Sequence, residues 1–88
     1  MKIELSKFGE ILMSRPAGKD AYLTATAYLF KPLPPGEEII IDFSGVRVIG
    51  PSWADEFITP LKEKYKENHI SFANTDNPSV KATLAAIQ

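Results

Sequence analysis

Eighty-eight residues, 44% of them apolar, with ten basic against eleven acidic side chains for a net charge of −1, describe an ordinary globular chain of one domain with a modest core. The charges are spread without a block, so the basic stripe that a phosphate backbone requires is missing and nucleic acid is not an expected partner. There is no cysteine, which excludes disulfides, thiolate nucleophiles and Cys-ligated metals.

Lys2 to Leu5 alternates in polarity, and beyond a turn at Gly9 lies the apolar run Ile11-Leu12-Met13; together they predict an antiparallel hairpin. Ser14 is placed to cap a helix whose first turn holds Pro16, where a missing N–H had no partner anyway. Ala17, Ala21, Ala25 and Tyr28 or Leu29 give that helix a face of mostly small residues, suited to lying close on a sheet. Lys31-Pro32-Leu33-Pro34-Pro35-Gly36 ends the helix and reads as a stiff extended connector.

Three consecutive isoleucines, Ile39 to Ile41, followed by Phe43, leave no solvent face and predict a central parallel strand buried on both sides. Ser52 reads as the N-cap of a second helix, with Asp55 reaching back toward it and Asp55 and Glu56 both at the positive end of the dipole. Trp53, Phe57, Leu61 and Tyr65 recur every four residues, with Ala54 and Ile58 beside them, and draw one apolar stripe down about four turns. Pro60 falls inside this helix, removes the hydrogen bond to the Glu56 carbonyl and is expected to kink the axis. Lys62, Lys64 and Lys66 form a solvated end. His69 to Asn74 alternates as another strand, and Asn77-Pro78-Ser79 opens a last helix through Val80, Leu84 and Ile87. The order β-β-α-β-α-β-α predicts an α/β fold. A small mixed, mostly parallel sheet carries helices packed on it, in a single domain over residues 1–88.

Asp42 interrupts the apolar run one residue before its end, where burying an unpaired carboxylate would cost on the order of several kcal/mol. Either it organises an Asx-turn that Gly45 lets fold tightly, or it belongs to a ligand or partner site at the carboxyl end of a parallel strand. Enzymatic signatures are missing: there is no Gly-rich phosphate loop and no His-Glu-x-x-His cluster, and the single histidine, His69, precedes a strand at the surface. No cofactor or metal is expected.

A small enzyme, or a nucleotide- or anion-binding domain, would use Asp42, Asp55 and Glu56 in a concave pocket beside Arg15 or Arg47. A binding module would instead present a flat or convex surface around Ser44 to Ser52, with Arg47, Val48 or Pro51 exposed. Self-association into a homodimer, through an edge strand or the Ala-rich helix, is the third reading. No apolar stretch approaches membrane-spanning length and the charged start Met1 to Leu5 is unlike a signal peptide, so a cytoplasmic protein without membrane contact is expected.

Asp42-Phe43-Ser44-Gly45-Val46-Arg47-Val48-Ile49 resembles the D-L-S-G-V-x-x-I signature of STAS domains, the fold of sulphate-transporter cytoplasmic domains and anti-sigma-factor antagonists. Phe8-Gly9, Ser14-Arg15, Ile41 to Val46, Ser52-Trp53-Ala54-Asp55-Glu56-Phe57 and Asn74-x-x-Asn77 together resemble a bacterial STAS-like domain family of unknown function, over nearly the whole chain. The resemblance implies a non-enzymatic, protein-binding regulatory module that answers to a histidine-kinase-type ATPase or an anti-sigma-like protein. The surface it implies comprises Asp42, Ser44, Gly45, Arg47, Pro51, Ser52, Asp55 and Glu56. In antagonists the loop continues as I-D-S-S-G or I-D-S-T-G and carries a phosphorylated serine. Here Gly50 and Pro51 replace the acidic residue and the first serine, leaving Ser52 as the candidate phosphosite.

Overall fold

A computed structural model describes residues 1–29 and 33–87, apart from the side chain of Leu29. Lys31 and Pro32 of the connector lie outside the described residues. The strands are β1 (Lys2–Glu4), β2 (Ile11–Leu12), β3 (Ile39–Asp42), β4 (Val48–Ile49) and β5 (Ile70–Ala73), and the helices are α1 (Arg15–Thr24), α2 (Pro51–Lys64) and α3 (Pro78–Ile87). Short 3-10 and π-helical segments cover Leu5–Phe8 and Ala25–Leu29.

β3 lies between β1 and β5, and every ladder is parallel: Ile3 pairs with Ile41, which pairs with Phe72. The expected hairpin is not formed. The 3-10 turn after β1 carries the chain onward instead of back, so β2 runs alongside β4, with Ile11 opposite Val48 and Leu12 opposite Ile49. The Arg47 and Val48 N–H groups both donate to the Glu10 carbonyl, at 2.8 and 3.1 Å, and bring the second ladder into register. Val48–Ile49, expected to be loop, is therefore strand.

Side-chain alternation places Ile3, Ile39, Ile41, Ile70 and Phe72 on one face of the larger sheet and Lys2, Ile40 and Ser71 on the other. The first face meets α2, whose Trp53, Ala54, Phe57, Ile58 and Leu61 are buried as the apolar stripe predicts. Trp53 and Phe57 stack with centroids 5.1 Å apart, and Phe8 tilts onto both. On the second face Lys2 is exposed and Ile40 half-buried, so the central strand is not sealed on both sides as the isoleucine run suggests.

α1 is capped by Ser14, whose hydroxyl accepts from the Ala17 N–H, with Pro16 in its first turn. Its small face is real but shifted. Gly18, Ala21 and Ala25 are buried, whereas Ala17 is exposed, and the face packs on α2 rather than on the sheet. A Cβ at Gly18 would fall on the Trp53 carbonyl oxygen and within 2.9 Å of Trp53 Cα, so the two backbones touch. The π turn rotates the end of the helix and leaves Tyr28 79% exposed. In the connector, a turn closed by the Glu37 N–H on the Pro34 carbonyl replaces an extended spacer. Among the described residues no helix is long and apolar enough to cross a membrane.

Candidate functional site

Asp42 ends β3 with 2% of its surface exposed. Its Oδ1 accepts from the Ser44 N–H at 3.0 Å, closing an Asx-turn, and from Asn74 Nδ2 at 2.6 Å, while its Oδ2 meets Lys2 Nζ at 3.3 Å. The Asn74 amide, the Ser44 N–H and Lys2, in that order, hold its carboxyl below the usual carboxylate range against the opposing effect of burial. Asp42 thus organises the turn and offers no free surface to a partner.

The turn that follows is closed by the Val46 N–H on the Phe43 carbonyl, with Gly45 at φ +85. That conformation strains any residue with a Cβ, and a Cβ there would also come within 3.0 Å of Ser6. Ser44, Gly45 and Arg47 are exposed around it. Asn77 then fixes the loop: its Nδ2 donates to the Val46 and Arg47 carbonyls while its Oδ1 accepts from the Ser79 N–H and caps α3. Ser79 Oγ accepts from the Ile49 N–H and donates to the Ile49 carbonyl, to which Thr83 also donates. Two hydroxyls occupy the edge of β4 where a third strand would stand.

The outward face of the β2–β4 ribbon is apolar. Ile11 is 63% exposed, its neighbour across the ribbon, Val48, 40%, and Met13 50%. Met13 leans over Gly50, where an added Cβ would lie 3.1 Å from Met13 Cε, and the strip ends at the exposed Pro51. Arg47 flanks it without an ion pair among the described residues.

Gly50, not Ser52, is the N-cap of α2; Pro51 takes the first helical position and Ser52 the second, and no side chain caps the helix. The capping box is therefore not formed. A proline suits the first position because that N–H needs no acceptor, and the helix starts two residues earlier than a serine cap at position 52 requires. Asp55 and Glu56 fall beyond the first turn and face α1. Arg15 Nη1 meets Glu56 Oε2 at 2.9 Å and Asp55 Oδ2 at 3.3 Å, and Thr59 donates to Asp55 Oδ1 at 2.9 Å. The Thr59 hydroxyl and then Arg15 hold the Asp55 carboxyl low, and Asp55 and Glu56 raise the Arg15 guanidinium. Half-buried Ser52 shares a groove of about 340 Å³ with Arg15, Pro51, Asp55, Ala86 and Ile87.

The eight predicted surface residues thus separate. Ser44, Gly45, Arg47 and Pro51 lie along the loop and strip, Ser52 at the start of α2, Asp55 and Glu56 toward α1, and Asp42 underneath. Ile11 and Met13 join the surface without having been read as part of it; their signal was an apolar run in a strand of two residues. His69 is exposed near Glu38, and no group of three or more His, Cys, Asp or Glu side chains fit to hold a metal occurs among the described residues.

One family model, STAS-like domain of unknown function (DUF4325), matches residues 27–80, a stretch that begins within the π turn after α1 and ends inside α3. No curated protein and no solved structure matches the chain. The matched stretch includes the Asp42 turn, the loop, the start of α2 and both asparagines, and exceeds half of the 88 residues. Residues 27–80 carry the fold's central strand and all eight predicted surface residues, and the chain belongs to the STAS-like domain family of unknown function.

Proposed function

We propose that this chain is a non-enzymatic protein-binding regulatory module, acting as anti-sigma-factor-antagonist STAS domains do on a histidine-kinase-type ATPase or an anti-sigma-like protein. The observation that carries the reading is the apolar strip of Ile11, Val48 and Met13, continued by Pro51 and flanked by Arg47. Clustered exposed apolar side chains beside a free cation are the usual mark of a protein contact. The displaced carboxylates argue the same way. Asp42 and Asp55 are both held ionised by hydrogen-bond donors, an arrangement that suits structure better than proton transfer.

Ser52 is the residue through which a phosphate would act on this surface. Its hydroxyl has no hydrogen-bond partner among the described residues, it occupies the second position of a 14-residue helix, and Arg15 lines the same groove. A phosphate there suits the helix dipole and competes with Asp55 and Glu56 for Arg15.

The test is titration calorimetry and pull-down against a candidate histidine-kinase-type ATPase domain. Val48→Asp, Arg47→Ala and Ser52→Asp are each expected to weaken binding strongly while the melting temperature stays within about 2 °C, because the surface substitutions leave the core untouched. Unchanged binding by all three sinks the reading. A concentration-dependent dimer by light scattering, lost in Ile11→Asp, replaces it with self-association through the same strip.

A further inference from the structure

We infer that the groove between α1 and α2 is a second docking surface, built to take one amphipathic helix of a partner with basic residues flanking its apolar face. The inference does not rest on the function proposed above, and the groove it concerns shares only Asp55 with the groove at Ser52. The groove, about 390 Å³, is lined by Lys19, Tyr22 and Leu23 of α1 and by Asp55, Glu56, Thr59, Pro60 and Glu63 of α2.

Its shape follows from helical spacing. Residues 55, 59 and 63 are i, i+4 and i+8 on one face of α2, and residues 19, 22 and 23 are their counterparts on α1, so the groove runs for about 6 Å along α1 and roughly 12 Å along α2. That length matches about two turns of a third helix. Gly18 sets the width, since contact with the Trp53 backbone brings the two helices together just beside it.

Its floor is apolar, from Tyr22, Leu23 and Pro60, and Leu23 is 52% exposed. Its α2 wall is acidic. Of the charged groups at the groove, Arg15 Nη1 is shared by Asp55 and Glu56, and Lys19 stands on the α1 side. Glu63 has no ion pair among the described residues, so three carboxylates face two cations and the uncompensated charge is negative and on α2. Pro60 adds an acceptor, because its missing N–H leaves the Glu56 carbonyl without its helical donor beside the groove. An occupant that matches this surface brings apolar side chains for the floor and Lys or Arg for the α2 wall, and keeps its flank toward Lys19 neutral.

The probe is a Leu/Lys amphipathic peptide of about 14 residues, long enough to form a helix on binding, with a Leu/Glu peptide of the same pattern as control. Amide resonances and titration calorimetry of the full chain follow both. The Leu/Lys peptide is expected to bind saturably, to shift resonances of residues 19–23 and 56–63, and to weaken as salt rises. Glu63→Lys is expected to cost at least about tenfold in affinity and Lys19→Glu to gain about threefold, an opposite sign that loss of folding cannot produce. Equal binding of both peptides, or shifts confined to residues 11–13 and 48–51, overturns the inference. Concentration-dependent self-association abolished by Leu23→Asp overturns it as well, by making a second copy the occupant.

Discussion

Gly18→Ala tests how closely α1 and α2 are packed. In an exposed helix interior this change is favourable by about 1 kcal/mol, because alanine loses less backbone freedom on folding. At Gly18 the added Cβ falls on the Trp53 carbonyl oxygen, 2.9 Å from Trp53 Cα and 3.0 Å from Trp53 C. All three atoms are backbone, so no rotamer change relieves the contact, and the helices must separate by several tenths of an ångström or more. Separation loosens Trp53 and Phe57, which are 1% and 0% exposed. Overpacking of this kind costs about 1–3 kcal/mol, and the upper part of that range applies where the obstacle is main chain. After the propensity gain, a net loss of about 2 kcal/mol remains, a fall in melting temperature of roughly 10 °C for a domain of this size. Thermal melts by circular dichroism measure it, and fluorescence of Trp53, the chain's single tryptophan, reports on the contact directly. A variant that melts at or above the wild-type temperature, with unchanged fluorescence, refutes the close approach.

Asp42→Ala strands the Ser44 N–H and the Asn74 amide and is expected to cost about 2–4 kcal/mol, read as a lower urea midpoint. Because the folded carboxyl lies below its ordinary value of about 3.9, its contribution is full above that pH and disappears as the pH falls through the folded value. The gap in urea midpoint between wild type and Asp42→Asn is therefore expected to be wide at neutral pH and to shrink in acid; a constant gap refutes the assignment. Ser52→Ala is expected to be within about 0.5 kcal/mol of wild type by thermal melt, because Ser52 caps nothing, whereas a true N-cap would cost about 1 kcal/mol. Ser79→Ala leaves the Ile49 N–H without its acceptor and is expected to cost about 1–3 kcal/mol, with the fastest amide exchange appearing at Ile49.

The elements most legible in the sequence are those whose signal is local and repeated. The isoleucine run forms the central strand, the Trp53, Phe57 and Leu61 period forms the buried face of α2, and Ser14 with Pro16 begins α1. Strand β2 was legible as the apolar run Ile11 to Met13 but its partner was not, and β4 was hidden because two residues carry no periodicity. Their pairing depends on Glu10 accepting from Arg47 and Val48, partners that no local pattern connects. The Asx-turn at Asp42 was readable from the residue type and Gly45. Its closure by Asn74, and the hold of Asn77 and Ser79 on the loop, join residues about thirty positions apart and emerge only from the fold. The helix start was displaced by two residues, since Ser52 suits an N-cap and Pro51 suits the first turn equally well.

The hydroxyls and amides of the α3 entry also bear on what any partner of residues 44–52 would encounter. Asn77 holds the carbonyls of Val46 and Arg47, and Ser79 with Thr83 holds both polar groups of Ile49, so this backbone is immobilised in the isolated domain. The ordering entropy is lost during folding and not at the encounter. A partner of this surface would thus meet a preorganised main chain, and its specificity would lie in side chains that can be exchanged without rebuilding the main chain beneath them.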